Sequence, residues 1–277
     1  MNNKEFDQRE QEILSRHSHT KLPQLADDTP LPPVRLTYPV DSRAPATEGP
    51  VFFFDIDNCL YPKSTRIHDL MQIYIHRYFK SSLNLNDEDA HHLHMTYYKQ
   101  YGLALEGLVR LHKVDAMKYN AVVDDALPLE KILVPNLQLR EMLIRLKKSN
   151  KNVRLWLFTN AYKNHGLRVI HLLGLGDLFD GLTYCDYNSF PLTCKPMQKA
   201  FDKALTDAGA MKEQAYFVDD SEINVRAACD FGWYRTIQYV ENDSELPSLA
   251  TQQEYSQKGM SIVRNITDVE NVCKELF

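Results

Sequence analysis

The sequence predicts an α/β fold, a doubly wound and mostly parallel sheet with an α-helical insertion directly after its first strand. Three observations carry this. Short apolar runs bounded by polar residues recur at Val51–Phe54, Val153–Phe158 and Ala215–Val218, as buried strands do. Segments with helical spacing separate them, and strands alternating with helices imply a parallel sheet. Between the first two strands lie about a hundred residues of helical pattern, too many for one crossover helix.

Composition bounds the function. The chain has 277 residues, of which 44% are hydrophobic, an ordinary share for a globular protein. A net charge of −5 gives no general attraction to polymeric nucleic acid or to anionic membranes. No apolar run approaches the ~20 residues that a membrane helix needs. The start, Met1 to Glu5, has no apolar core, so no secretory signal is expected. Cys59, Cys185, Cys194, Cys229 and Cys273 are scattered without a CxxC pair. An odd, dispersed set implies reduced thiols, hence a cytoplasmic protein with nuclear entry left open.

In chain order, residues 1–49 are polar and rich in proline. We expect a mobile arm with a short helix from Glu5 to Arg16, and Val34 to Val40 laid against the domain. Val51–Phe54 is the first strand. Residues 65–135 form the expected helical cap. In it Ile67, Leu70, Met71, Tyr74, Ile75, Tyr78 and Phe79 keep the helix period. Asn86 caps a second helix from Asp87, with Gly102 as its stop. Leu103–His112 and Ala116–Val123 continue the series. Residues 50–64 and 136–277 form the α/β core. Its elements are a helix over Pro135–Lys148, the strand Val153–Phe158, a helix from Lys163 to Leu173 ended by Gly174, and a short strand at Leu182–Tyr184. Pro196 is placed as the first residue of the next helix. The strand from Ala215 follows, then a helix from Ser221 to Phe231, strands at Tyr234–Val240 and Met260–Val263, and a closing helix over Asp268–Leu276.

Three of these strands end in polar residues: the first in Asp55 and Asp57, the second in Thr159-Asn160, the third in Asp219-Asp220. Lys195 opens the helix between the last two. A parallel sheet gathers such ends at one edge, where open α/β sheets bind ligands. Carboxylates drawn together repel unless a cation sits among them, and Mg²⁺ takes oxygen ligands. A hydroxyl, an amide and an ammonium suit a phosphoryl group, with backbone donors at the helix starts after Thr159 and Lys195 adding to them. Each piece alone also suits a helix cap or a turn. The joint pattern is what points to a site.

Asp55-Ile56-Asp57, Thr159, Lys195 and Asp219-Asp220 resemble the four motifs of the haloacid dehalogenase-like (HAD) hydrolase superfamily. The segments Phe54 to Tyr61, Leu157 to Ala161 and Phe217 to Ser221 are similar to its fungal pyrimidine 5'-nucleotidase branch. The resemblance covers about residues 50 to 240, with Cys59 standing where the wider family favours Thr or Val. It implies a HAD-like Rossmannoid core with the cap in first position. It further implies that Asp55 is the nucleophile that forms an aspartyl-phosphate. Asp57 is then the acid and later the base, and its presence favours phosphate chemistry over halide release. The implied cofactor is Mg²⁺, held by Asp55, the backbone carbonyl of Asp57 and Asp220, with Asp219 a water-linked or alternative ligand. Thr159 and Asn160 donate to the phosphoryl oxygens, and Lys195 screens Asp55.

Near the expected mouth or in the cap lie Asn58, Tyr61, Lys63, Arg66 and Tyr101. Tyr61 or Tyr101 suits stacking on a base, and Arg66 suits a phosphate or sugar; each also suits packing. His91, His92 and His94 cannot share one helix face, so a solvated face is expected rather than a zinc site. Asp124-Asp125, ahead of Pro128, reads as a helix end. The expected function is a Mg²⁺-dependent phosphomonoesterase for nucleoside 5'-monophosphates, pyrimidines favoured, acting as a monomer or weak homodimer. The alternatives are a phosphatase for lysophosphatidate or another small phosphomonoester, and a non-catalytic binding protein that keeps the fold.

Overall fold

The computed structural model describes residues 3–17, 25, 29–101, 103–149 and 151–277. Among them one sheet has six parallel strands. These are β1 (Val51–Phe54), β2 (Arg154–Phe158), β3 (Gly181–Thr183), β4 (Ala215–Asp219), β5 (Arg235–Tyr239) and β6 (Met260–Val263). Their order is β3-β2-β1-β4-β5-β6. The order reverses between β1 and β4, the place where a crevice opens beyond the strand ends.

β1 has no polar alternation because both of its faces are covered. Phe52 and Phe54 enter one core with helices α6 (Leu137–Lys148) and α7 (Lys163–Leu172). Val51 and Phe53 enter the other, with Trp156, Phe217, Trp233 and helix α8 (Gln198–Ala208). All four side chains are fully buried, each worth about 1.5–3 kcal/mol relative to exposure. Helix α9 (Glu222–Asp230) follows β4, α10 (Leu249–Ser256) precedes β6, and α11 (Val269–Val272) follows it.

Among the described residues four α-helices stand between β1 and α6: α2 (Ile67–Leu83), α3 (Asp87–Tyr101), α4 (Ala104–His112) and α5 (Ala116–Val122). Asn86 Oδ1 accepts from the Asp89 amide at 2.9 Å and so caps α3, which removes one unpaired donor of the first turn. The expected stop at Gly102 lies outside the described residues. His91 and His92 face solvent, whereas His94 is buried against Phe79.

Three expectations need correction. The N-terminal segment is not loose where it is described; residues 1–2, 18–24 and 26–28 lie outside that description. Helix α1 (Asn3–Arg16) buries Phe6 and Ile13, seven residues apart and so on one face. Its acids pair with α2: Arg77 binds Asp7 and Glu10, both at 2.7 Å, and the Tyr74 hydroxyl donates to Glu10 at 2.9 Å. Farther on, Val34 to Val40 lie against the domain as expected: the Arg35 amide donates to the Gly176 carbonyl and the Tyr38 amide to that of Asp180. Second, α8 begins at Gln198; the Lys195–Pro196 bond is cis and Pro196 precedes the helix. Third, the closing helix is short. α11 sits between 3-10 turns at Ile266–Asp268 and Lys274–Leu276, with Asn265 and Asp268 in a capping box at the first.

Candidate active site

The register of the sheet assembles the site. Phe54 pairs with Leu157 on one side and with Val218 on the other. The residues that follow therefore emerge together: Asp55 from β1, Phe158 and Thr159 from β2, Asp219 at the end of β4. The Asp55 amide extends the pairing by donating to the Val218 carbonyl at 2.9 Å. Beyond it the chain turns at Asn58, whose φ of 57° is left-handed, a conformation Asn tolerates better than most residues.

Lys195 is the electrostatic centre. It is 2% exposed. Its Nζ donates to Asp55 Oδ1 at 2.6 Å, to Asp219 Oδ2 at 2.6 Å and to the Phe158 carbonyl at 2.8 Å. Three donors meet three acceptors, which satisfies the ammonium. The Phe158 and Phe217 rings flank it at 5.1 and 5.4 Å. Burial works against its charge, but Asp219 and Asp55 outweigh burial and hold it protonated above the usual lysine range.

One ammonium does not neutralise the carboxylates around it. Oxygens of Asp55, Asp219 and Asp220 all lie within 4.8 Å of one another. Burial, then Asp219, push the Asp55 carboxyl well above the usual range against the pull of Lys195. The same causes raise Asp220 to about 6 although Lys63 Nζ lies 3.0 Å from its Oδ2. Lys63 also binds Glu245 at 3.1 Å. Asp219 is the most fully used of the three. Oδ1 accepts from the Ser221 amide at 2.8 Å, and Asn224 Nδ2 lies 3.2 Å from both oxygens. Burial and the carboxylates also raise Cys59, so its thiol stays protonated.

Asp57 has its own surroundings. Its Oδ1 accepts from the Tyr61 hydroxyl at 2.5 Å and from His165 Nε2 at 2.6 Å. Burial opposes its charge, yet His165 and Tyr61 hold the carboxyl below the usual range. Burial would lower His165, and Asp57 raises it instead. The two form a close ion pair within the site.

The structure thus brings together Asp55, Asp57, Thr159, Lys195, Asp219 and Asp220. Thr159 is buried, and its Oγ1 accepts from the Ala161 amide at 3.0 Å, which leaves the O–H to donate. Asn58 Oδ1 is buried without a partner among the described residues. Other expected contacts are placed differently. The Asn160 side chain is bound to the Lys195 backbone, with Nδ2 donating to the Lys195 carbonyl at 2.9 Å and Oδ1 accepting the Lys195 amide at 2.7 Å, which leaves one Nδ2–H for another acceptor. Tyr61 is buried and tied to Asp57, so it presents no face to a base. Arg66 binds Asp69 at 2.8 Å and Glu12 at 3.3 Å, closing α1 onto α2. Tyr101 packs against Tyr97 and under Arg110 and makes no hydrogen bond to the carboxylates among the described residues. Sequence reasoning missed His165 and Asn224. Their only trace is position, one in the first turn of the helix after Thr159 and one in the first turn of the helix after Asp219.

Comparison with known proteins agrees with this geometry. Residues 50–232 match the family described as haloacid dehalogenase-like hydrolase. The chain is 41% identical over 227 residues to Phosphate metabolism protein 8 of Saccharomyces cerevisiae, covering 79% of this chain and 71% of that protein. Among solved structures, a HAD phosphatase from Thermococcus onnurineus matches with a TM-score of 0.54 at 18% identity, over 80% of this chain and 97% of that one. A haloacid dehalogenase-like family hydrolase from Streptococcus pneumoniae matches with a TM-score of 0.51 at 18% identity, over 80% and 97%. At such identities the structural likeness speaks for the fold.

Proposed function

Since the chain belongs to the haloacid dehalogenase-like hydrolase family, we propose that it is a Mg²⁺-dependent phosphomonoesterase for nucleoside 5'-monophosphates, pyrimidines favoured. The observation that carries the reaction class is the Lys195 ammonium shared between Asp55 and Asp219, with Asp220 in the same cluster. It supplies a screened nucleophile beside an all-oxygen donor set. The nucleotide substrate rests on the resemblance of the motif segments.

The donor set suits a hard cation. Three carboxylates crowd within 4.8 Å, and burial, then the neighbouring Asp219 charge, raises the pKa of two of them. Asp219 is already committed to Lys195, Ser221 and Asn224, so Asp55 and Asp220 would be the side-chain ligands, with the Asp57 carbonyl. When bound, Mg²⁺ would supply neutralisation of the phosphoryl oxygens.

In this reading the charge of the bound phosphoryl group raises Asp57 from the low range it has in the free site, so that it carries a proton; an Asp55 oxygen then bonds to phosphorus as the ester P–O bond breaks, and Asp57 gives its proton to the leaving alkoxide. Asp57 then takes a proton from water as the water oxygen bonds to phosphorus and Asp55 is released. The Thr159 hydroxyl donates to a phosphoryl oxygen, and Lys195 stabilises charge as it builds. Asn160 acts through Lys195, by fixing its backbone. Helices α2–α5 form the cap that excludes water. The five cysteines are buried free thiols, which supports the cytoplasm as the compartment.

The test is turnover of an aryl phosphate with Mg²⁺ and with EDTA, for wild type and Asp55→Asn, followed by a panel of UMP, CMP, AMP, lysophosphatidate and sugar phosphates. We expect metal-dependent turnover, its loss in the variant, and the highest kcat/KM on UMP and CMP. Preference for lysophosphatidate would overturn the substrate class. No turnover of any ester would leave a binding protein.

A further inference from the structure

The carboxylate assigned above to proton transfer is clamped. Two donors converge on one of its oxygens, and they come from different parts of the fold. Tyr61 lies in the turn after β1, four residues beyond Asp57, and His165 lies in α7, 108 residues away. The His165 ring is fully buried. Its position is set by close packing of α7 on the strand end. At the next residue, Gly166, a Cβ would lie 2.9 Å from Ile56 Cδ1, between the two aspartates. Asp124, held by the Tyr187 hydroxyl at 3.0 Å, lies near enough for its charge to act on the ring. The Asp57 side chain keeps 27% of its surface, so the clamp leaves part of it open.

We propose that His165 and Tyr61 are positioning residues for Asp57: by holding Oδ1 they turn Oδ2 into the atom that exchanges the proton with the leaving oxygen and then with water. This rests on the phosphomonoesterase reading. A carboxylate free to rotate presents either oxygen in many orientations. One with two donors on Oδ1 loses both bonds when it turns, so a single orientation dominates. In the first half-reaction Oδ2–H gives its proton to the ester oxygen, which takes the electron pair of the breaking P–O bond. In the second, Oδ2 takes a proton from the water that bonds to phosphorus. Oδ1 stays in the clamp throughout. His165 donates from Nε2 as the imidazolium and, when neutral, as the Nε2–H tautomer, so the clamp does not require the charged ring.

A residue that only fills the core would lower every step together. A positioning residue lowers the steps that need proton transfer. The experiment compares wild type, Tyr61→Phe, His165→Leu and His165→Gln on two substrates. One is the best alkyl ester from the panel above, UMP on the proposed reading. The other is 2,4-dinitrophenyl phosphate, whose phenolate leaves without a proton. For Tyr61→Phe and His165→Leu we expect kcat on the alkyl ester to fall about tenfold or more. The burst of dinitrophenolate should keep its rate within about threefold while steady-state turnover slows, because water attack still needs the base. His165→Gln, whose amide can donate near the Nε2 position, should recover part of the loss. An equal fall in burst rate and alkyl turnover, a greater fall in the burst, or no change in either overturns the proposal. Tyr61→Phe removes one hydroxyl and keeps the ring, so it decides the matter even if His165→Leu does not fold. If wild type turns over neither ester, the phosphomonoesterase reading fails and this proposal falls with it. An active wild type with uniformly slowed variants sinks the clamp alone.

Discussion

Replacing Lys195 by methionine removes one charge from the centre of the carboxylate cluster and little volume. The methionine side chain reaches into the same slot between Phe158 and Phe217, so no large cavity follows and the loss is electrostatic. Asp55 and Asp219 then share a buried site without their common ammonium. Removing one partner of a buried pair costs about 3–5 kcal/mol. A chain of 277 residues unfolds with an entropy of about 0.6 kcal/mol per kelvin. The expected fall in Tm, in EDTA at pH 8, is therefore about 5–9 °C. The loss should shrink toward pH 6. Burial already raises Asp55 well above its ordinary value and Asp220 to about 6, and without Lys195 the cluster holds protons more tightly still. The folded state then binds more protons than the unfolded one, and stability falls as pH rises through these values. Adding Mg²⁺ should restore part of the Tm, since saturation at 100 times Kd is worth about 2.7 kcal/mol. The assay is a thermal melt at pH 6 and pH 8, with EDTA and with Mg²⁺. A variant that melts with wild type in EDTA at pH 8 would refute the reasoning, because the cluster would then need no counterion.

Three further outcomes follow from local geometry. Asn160→Ala removes the reciprocal pair with the Lys195 backbone; it should cost about 1–3 kcal/mol in a denaturant melt and slow turnover by loosening Lys195. Gly107→Ala places a Cβ 2.2 Å from Tyr97 Cγ, where α4 packs on α3. Such overpacking should cost about 1–3 kcal/mol in the same assay. His94, which burial lowers from 6.5 to about 4, should weaken the fold as pH falls through that interval, by up to about 3 kcal/mol at full protonation, because the unfolded chain binds the proton first. His94→Phe should flatten the acid side of a plot of Tm against pH relative to wild type.

The three central strands, β1, β2 and β4, were legible because each is short, mostly apolar and bounded by polar residues. Burial of β1 on both faces explains why Val51–Phe54 shows no alternation. The order of the strands was not legible, since it depends on which crossovers pass which neighbours, and no local pattern records that. The closing helix misled for a related reason. Val269, Cys273 and Leu276 are buried at spacings of four and three, which an α-helix and a broken series of helical turns satisfy equally. The N-terminal segment misled through its composition. α1 is polar overall, yet two side chains on one face suffice to seat it once Arg66, Tyr74 and Arg77 meet its acids. Those partners lie fifty or more residues away, and a reading of the segment alone could not supply them.

Residues whose chemistry has few substitutes were the easiest to find. Carboxylates at strand ends, with one lysine to balance them, are a narrow solution to the problem of holding a cation and a nucleophile together, and Asp55, Lys195, Asp219 and Asp220 converge as their types demand. The residues that brace this set solve a looser problem. Holding Asp57 needs only donors of the right reach, and a tyrosine and a histidine serve; holding Lys195 needs only a planar amide, and Asn160 serves. Many residue types fit such tasks, so residue type carries little information about them. That is why Tyr61 and Asn160 looked like substrate contacts and why His165 did not stand out. The same reasoning separates the two kinds of variant. Loss of a charged member should remove a step of the reaction outright, while loss of a brace should leave the step intact and make it less often productive.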